Sequence, residues 1–414
     1  MKKILLALLL THPIFAQNNP GSSLETLMRR RPAQFGAILA HPEIYEVQII
    51  YTQIDRDRRN RPTFRTYRYG VDAGRYFYPA STVKLPTALL ALEKINKLKI
   101  KGLDKFSTMK TGAAYERQTP VEQDSTAANG LPSVAQYVRK ILLVSDNDAH
   151  NRLYEFLGQQ YLNETMHQKG YPNVRIVHRL QVGMSREQNR RTNPVKFLGE
   201  NGAVLYEQPL VTSEKEFVPT APIKKGKGFM RGETRIDEPF DFTYNNYFAL
   251  EEQHDVLKAL FFPEAVDAKK RFDLTPDDYR FVYKYMSQYP TESISPRYPP
   301  PAYWPTYCKF MFFGSEKAAT LPKALRIFNK VGDAYGFLLD NAYVVDFEKG
   351  IEFLVTAVMH CNADGIYNDD KYDYDSVGFP FMKNLGQLLY DHEKQRTRAR
   401  KPDLRKFIVE YDTK

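Results

Sequence analysis

The stretch "YPASTVKLPTALLALEKI", residues 78–95, can be read on two levels. Leu85, Leu89, Leu90 and Leu92 recur at helical spacing behind Ser81, and serine is a favoured helix N-cap, so a helix is predicted over about 81–98. Ser81 and Lys84 stand three residues apart and share one face of that helix. The serine is then either a polar cap or a nucleophile with a lysine beside it, and this stretch alone leaves both open. A second Ser-x-x-Lys, Ser107-Thr108-Met109-Lys110, shows how little the pattern says by itself.

Outward from this helix, residues 45–53 and 63–70 are β-rich runs separated by the polar, turn-forming "IDRDRRNRP", which predicts an antiparallel hairpin. Helical signals follow at 132–144 and at 150–169, with Gly170 as a stop. Residues 325–362 hold three β-branched and aromatic runs joined by Gly-containing turns, and 379–395 returns to helical spacing. Strands at both chain ends with helices between them predict an α+β fold, a three-layer α/β/α-like arrangement whose antiparallel sheet is completed by both termini. The expected division is a sheet-containing part, 17–80 with 320–414, and a mainly helical part, 81–319. Within the latter, about 200–300 reads as an insertion of loops and short helices, rich in Pro and Tyr.

Company and order raise Ser81 above its rival. Ser145-Asp146-Asn147 follows at an apparent helix start, and Lys330-Val331-Gly332 lies on a candidate strand near the C-terminus. Taken in that order, the three motifs resemble the class A β-lactamase and penicillin-binding-protein superfamily of serine hydrolases, with its S-x-x-K, S-D-N and K-T-G elements. A literal Lys110-Thr111-Gly112 precedes Ser145 and is rejected as the third motif on that ground.

The resemblance implies roles. Ser81 would attack an acyl carbonyl once Lys84, its pKa lowered by burial and nearby positive charge, removes the hydroxyl proton. Ser145 would relay a proton to the leaving group, Asn147 would hold the substrate amide, and Lys330 would face an anionic substrate end. Gly332 belongs to the same motif, and the backbone N–H groups of Ser81 and Asp333 would form the oxyanion hole. Taken one by one, the bland alternatives are that Ser81 and Ser145 are helix caps and Lys330 a strand-edge lysine.

Two departures bear on the substrate. Val331 stands where the family usually carries a hydroxyl that helps bind the substrate carboxylate, and valine has the shape without the hydrogen bond. The glutamate and asparagine four residues apart that deacylate class A β-lactamases are absent at the expected distance; in "SREQNRRTNPVKF", residues 185–197, Glu187 is the candidate base, and a solvated glutamate paired with Arg186 or Arg190 is the alternative.

The remaining features bound the function. Met1-Lys2-Lys3, the apolar run 4–10 and Ala16 read as a cleaved signal, 1–16, which implies an exported protein, periplasmic or secreted. No later stretch is apolar for long enough to span a bilayer. A 43% hydrophobic, 13% aromatic chain supplies a sizeable core and excludes disorder as the default. Loss of Lys2 and Lys3 with the leader lowers the net charge from +10 to +8, concentrated at 222–231 and 392–406, which read as solvated surface. An exported chain meets little nucleic acid, so none is expected as a partner. The two cysteines, Cys308 and Cys361, leave one disulfide open. No Cys/His cluster has zinc spacing, and the acidic run 362–375 lacks the calcium-loop pattern, so no metal or cofactor is expected. Trp304 reads as a packed loop aromatic. The expected function is an exported serine acyl-transfer hydrolase acting on a β-lactam or related amide or ester. The alternatives are a cell-wall D-alanyl peptidase with a peptidoglycan-related substrate, another serine amidase or esterase, or a non-catalytic wall-binding protein.

Overall fold

The computed structural model describes residues 24–412, so the expected leader lies outside the described residues. Both chain ends build one five-stranded antiparallel sheet from β1 (Gln48–Arg56), β2 (Pro62–Tyr69), β3 (Leu325–Ala334), β4 (Phe337–Asp346) and β5 (Ile351–His360), in the order β3-β4-β5-β1-β2. The register pairs Gln48 with Val358 and Ile49 with Tyr69, joining N-terminal and C-terminal segments in the middle of the sheet.

The period-2 alternation of the strands sends side chains to two separate cores. Leu338, Ala342 and Val344 of β4 join a layer with the short helices Leu24–Arg29 and Pro32–Ala40, whereas Tyr343 and Val345 face the helical side. On β3, Leu325, Ile327 and Val331 face the first layer, and Phe328 faces the second. The predicted three-layer α/β/α arrangement is therefore the observed one.

The helical side is built from α1 (Lys84–Leu98), α2 (Val134–Val144), α3 (Asn147–Leu157), α4 (Gln159–Gln168), α5 (Leu250–Phe261) and α6 (Pro276–Ser287). The helix α7 (Phe379–Gln395) covers the opposite face of the sheet through Phe381, Leu385 and Leu389. Side-chain caps fix several starts: Ser133 Oγ accepts from Gln136 N at α2, and Thr275 with Asp278 forms a capping box at α6. The expected helix over 150–169 is divided at Gly158, whose φ of 79° suits glycine and ends α3 before α4 begins.

The segment 200–300 differs from expectation. Short strands between Val204 and Asp241 fit an insertion, but α5 and α6 are full helices whose Val256, Leu257, Phe261, Val282 and Met286 are buried in the main core. Their apolar spacing lies within the dense Pro and Tyr of their flanks. Cys308 and Cys361 are both buried free thiols. Among the described residues no helix is long and apolar enough to cross a membrane, and no group of His, Cys, Asp and Glu is arranged to hold a metal ion.

Candidate active site

Ser81 sits in a 3-10 turn, Ala80–Val83, that runs directly into α1. Its cap reading is corrected: Pro79 is the N-cap, and the Ser81 hydroxyl makes no hydrogen bond to any described residue. Ala80 has a φ of 47°, a conformation that costs a non-glycine residue energy and that presents Ser81 half-exposed at the end of a buried turn.

Lys84, one turn on, is completely buried. Its Nζ donates to the Ser145 carbonyl, to Ser145 Oγ at 3.2 Å and to Asn147 Oδ1 at 2.7 Å. Burial, and then the positive charge of Lys330, holds its pKa well below that of an ordinary lysine. A neutral amine is the form a general base needs.

Ser145 lies at the junction of α2 and α3 with a φ of 61°, its N–H bonded to Ile141 O at 3.1 Å. It caps neither helix through its side chain, because Asp146 takes that task for α3, accepting from Ala149 N at 2.8 Å. Ser145 Oγ is thus left for the two lysines: Lys330 Nζ donates to it at 2.7 Å and to the Val331 carbonyl at 2.8 Å. A hydroxyl that accepts twice keeps its own proton to donate. Lys330 is buried rather than a surface-edge lysine, and that burial lowers its pKa to about 8.

Gly332 has a steric role. A Cβ there would lie 3.0 Å from Ser81 N and Pro79 O and 3.1 Å from Thr82 N, so only glycine lets β3 lie against the turn that carries Ser81. Asp333, the next residue, is open to solvent yet ringed by cleft walls that raise its carboxyl above the usual range, against the pull of Lys330 and Lys84. Asn147 Nδ2 donates to Gln181 Oε1 at 2.7 Å, which ties the start of α3 to the loop beyond α4.

Glu187 is the predicted residue that the fold keeps away. It lies on the short helix Arg186–Arg190, half exposed, with its carboxylate bonded to Arg191 and 3.6 Å from Arg190, and it is not among the residues lining the cleft. Here the solvated, arginine-paired reading is the correct one. The rival Ser107 is also structural, its hydroxyl capping the turn at Asp104 N at 3.0 Å, and Lys110 pairs with Glu122 at 2.6 Å.

Two cavities, of about 770 Å³ and about 1090 Å³, meet at Ser81, Asn147, Gln181 and Asp333. The first is walled by Tyr78, His178 and Tyr335, with Tyr78 and Tyr335 edge to face at 5.1 Å. The second holds Ser145, Val331, Cys308 and the aromatic loop Tyr303, Trp304 and Tyr307. These walls escaped the sequence reading because they come from loops without a motif; Trp304, read there as packed, is half-buried against Tyr307 and lines the second cavity. Burial pushes the Cys308 thiol up to about 11, so it stays protonated at neutral pH and offers no thiolate to compete with Ser81.

Residues 37–214 match the model of the beta-lactamase enzyme family. Among solved structures, the chain resembles a beta-lactamase from Burkholderia phymatum at 13% identity over 90% of this chain and 100% of that one, with a TM-score of 0.48. It also resembles a beta lactamase from Xanthomonas campestris at 14% identity over 88% and 98%, TM-score 0.48. A third is the penicillin-binding protein PBP-A, solved as an acyl-enzyme complex with penicillin G, at 13% identity over 91% and 98%, TM-score 0.47. No curated protein matches the chain. With the family match and the three-layer fold together, the chain is a β-lactamase-like serine hydrolase.

Proposed function

We propose that the protein is a serine acyl-transfer enzyme in which Ser81 forms a covalent acyl-enzyme with an amide or ester carbonyl. The observation that supports this most strongly is the position of the two buried lysines on Ser145: Lys84 and Lys330 both donate to one hydroxyl. In the proposed mechanism, neutral Lys84 takes the Ser81 proton as Oγ attacks, and the oxyanion is held by the N–H groups of Ser81 and Asp333. The proton then reaches the leaving group through Ser145, with charged Lys330 fixing that hydroxyl.

Deacylation has less support in this site. Among the described residues no carboxylate hydrogen-bonds Ser81, Lys84 or Asn147, and Glu187 is elsewhere. The acyl-enzyme is therefore expected to be long-lived, which favours penicillin-binding-type behaviour over rapid lactam hydrolysis.

The test is intact-protein mass spectrometry at intervals from seconds to hours after adding the phenylacetyl thioester of 2-mercaptoethanol, with Ser81→Ala alongside. Gain of one phenylacetyl group by wild type only, decaying slowly, is the expected result. Equal gain by both proteins contradicts the assignment, and thiol release at many turnovers without a detectable adduct contradicts the slow second step. Benzylpenicillin run in parallel reports whether a carbonyl with a neighbouring carboxylate is accepted.

A further inference from the structure

The larger cavity contains Ser145 and the smaller does not. If Ser145 hands the proton to the departing group, that group occupies the larger cavity, and the walls there decide which leaving groups fit. This step rests on the acyl-transfer reading above.

Those walls do not suit an anion. Val331 and Asp333 are two apart on β3, share one face of the strand and both line this arm. A carboxylate placed beside them would meet a valine without a donor and an aspartate of like charge. Asp333 has no hydrogen bond or ion pair with any described residue to neutralise it, and Asp375, also exposed on the arm, has none either. Charged Lys330 does not reverse this, because its donors are already committed to Ser145 Oγ and the Val331 carbonyl.

The opposite wall is aromatic. Trp304 and Tyr307 meet edge to face at 4.8 Å, and Tyr303 packs on Tyr307 at 5.0 Å. Rings of this kind attract cations through their π faces. The chain already uses this wall so: the exposed Lys317 ammonium lies 5.1 Å from the Trp304 ring centroid. The arm's other lysine, Lys383, is paired with Glu316.

We infer that Asp333 and the Tyr303–Trp304–Tyr307 wall make this arm selective for a leaving group that carries a positive charge, such as an alkylammonium alcohol, thiol or amine, and that they reject a carboxylate-bearing one. In the reaction, the Ser81 Oγ–carbonyl bond forms and the bond from carbonyl carbon to the leaving heteroatom breaks. The serine proton passes by Lys84 and Ser145 to that heteroatom, and the cationic group departs along the arm.

The experiment compares three thioesters with one acyl group, phenylacetyl, and three thiols: cationic thiocholine, neutral 2-mercaptoethanol and anionic mercaptoacetate. Pre-steady-state thiol release gives the acylation constant for each. Wild type is expected to favour the cation over the anion by about 30-fold or more. Asp333→Asn is expected to cut that ratio by about 10-fold, and Trp304→Ala by about 3-fold, both ratios being independent of any general loss of activity. The ratio should also shrink in 1 M salt, where charge attraction is screened. A wild-type ratio near one or below, or one that Asp333→Asn leaves intact, overturns the inference while the acyl-transfer reading stands. Absence of Ser81-dependent release from all three thioesters overturns both.

Discussion

The floor of the cleft and its leaving-group arm share strand β3, but opposite faces of that strand serve them. Lys330 and Gly332 turn toward Ser81 and Ser145, where every polar group has a short, specified partner. Val331 and Asp333 turn the other way, onto an arm walled by loop aromatics and an unpaired carboxylate. On the floor, burial fixes protonation states; in the arm, accessible charge and ring faces remain free to meet a ligand. Chemistry and recognition are thereby separable on one strand, because period-2 alternation assigns neighbouring residues to different surroundings.

The sharpest way to break this division is to remove the nucleophile. Ser81→Ala is expected to lower acylation of every substrate by roughly 10⁴-fold without changing the circular dichroism spectrum. Lys84→Met should lower the acylation constant of all three thioesters alike, by about 100-fold to 1000-fold. Its thermal midpoint should hold or rise, since the variant no longer buries an amine that is costly to charge. Unequal losses across the three thioesters would blur the line between floor and arm.

Gly332→Ala probes the seam itself. A methyl group 3.0 Å from Ser81 N forces β3 from the turn, at an overpacking cost of about 1–3 kcal/mol, expected to appear as a 10-fold or greater loss in acylation. Retained activity would show that the turn tolerates displacement.

The smallest effect is in the pH profile. Lys330 has a folded pKa lowered to about 8 from 10.5, so it is charged below pH 8 and loses its proton as pH rises through that value. Lys84, lowered further, is the group that must be neutral, and it sets the acidic limb. The acylation constant of the neutral thioester should therefore rise with pH on the acidic side and fall above about pH 8. Replacement of Lys330 by Met should remove the alkaline limb; a limb that persists would assign it to another group.

How legible the site was depended on which interactions place each residue. Ser81, Lys84, Ser145, Asn147, Lys330 and Gly332 were named from three short motifs, and the fold brings all six together, because each motif begins or ends a regular element whose period shows in the sequence. The strands of both termini were legible from alternation, and their pairing across the chain followed from having strands at each end. Glu187 was misleading: a Glu near two Asn matches a pattern of letters, but three arginines nearby decide where its carboxylate goes. The division of 150–169 at Gly158 was legible in principle, the glycine standing in plain view within the helical pattern. The aromatic arm was not, since Tyr303, Trp304 and Tyr307 acquire their position from the Trp304 Nε1 bond to Ser315 O, 2.7 Å, and from packing that no local period records.

The central claim is that Ser81, and not the rival serine of the second Ser-x-x-Lys, is the nucleophile. It is tested most directly by exposing wild type, Ser81→Ala and Ser107→Ala to a neutral alkyl fluorophosphonate, which exchanges its fluoride for a serine oxygen, and mapping the label by peptide mass spectrometry. Label on Ser81 in wild type and in Ser107→Ala, with none in Ser81→Ala, is the predicted result. Label retained in Ser81→Ala, or found on another residue in wild type, would contradict it.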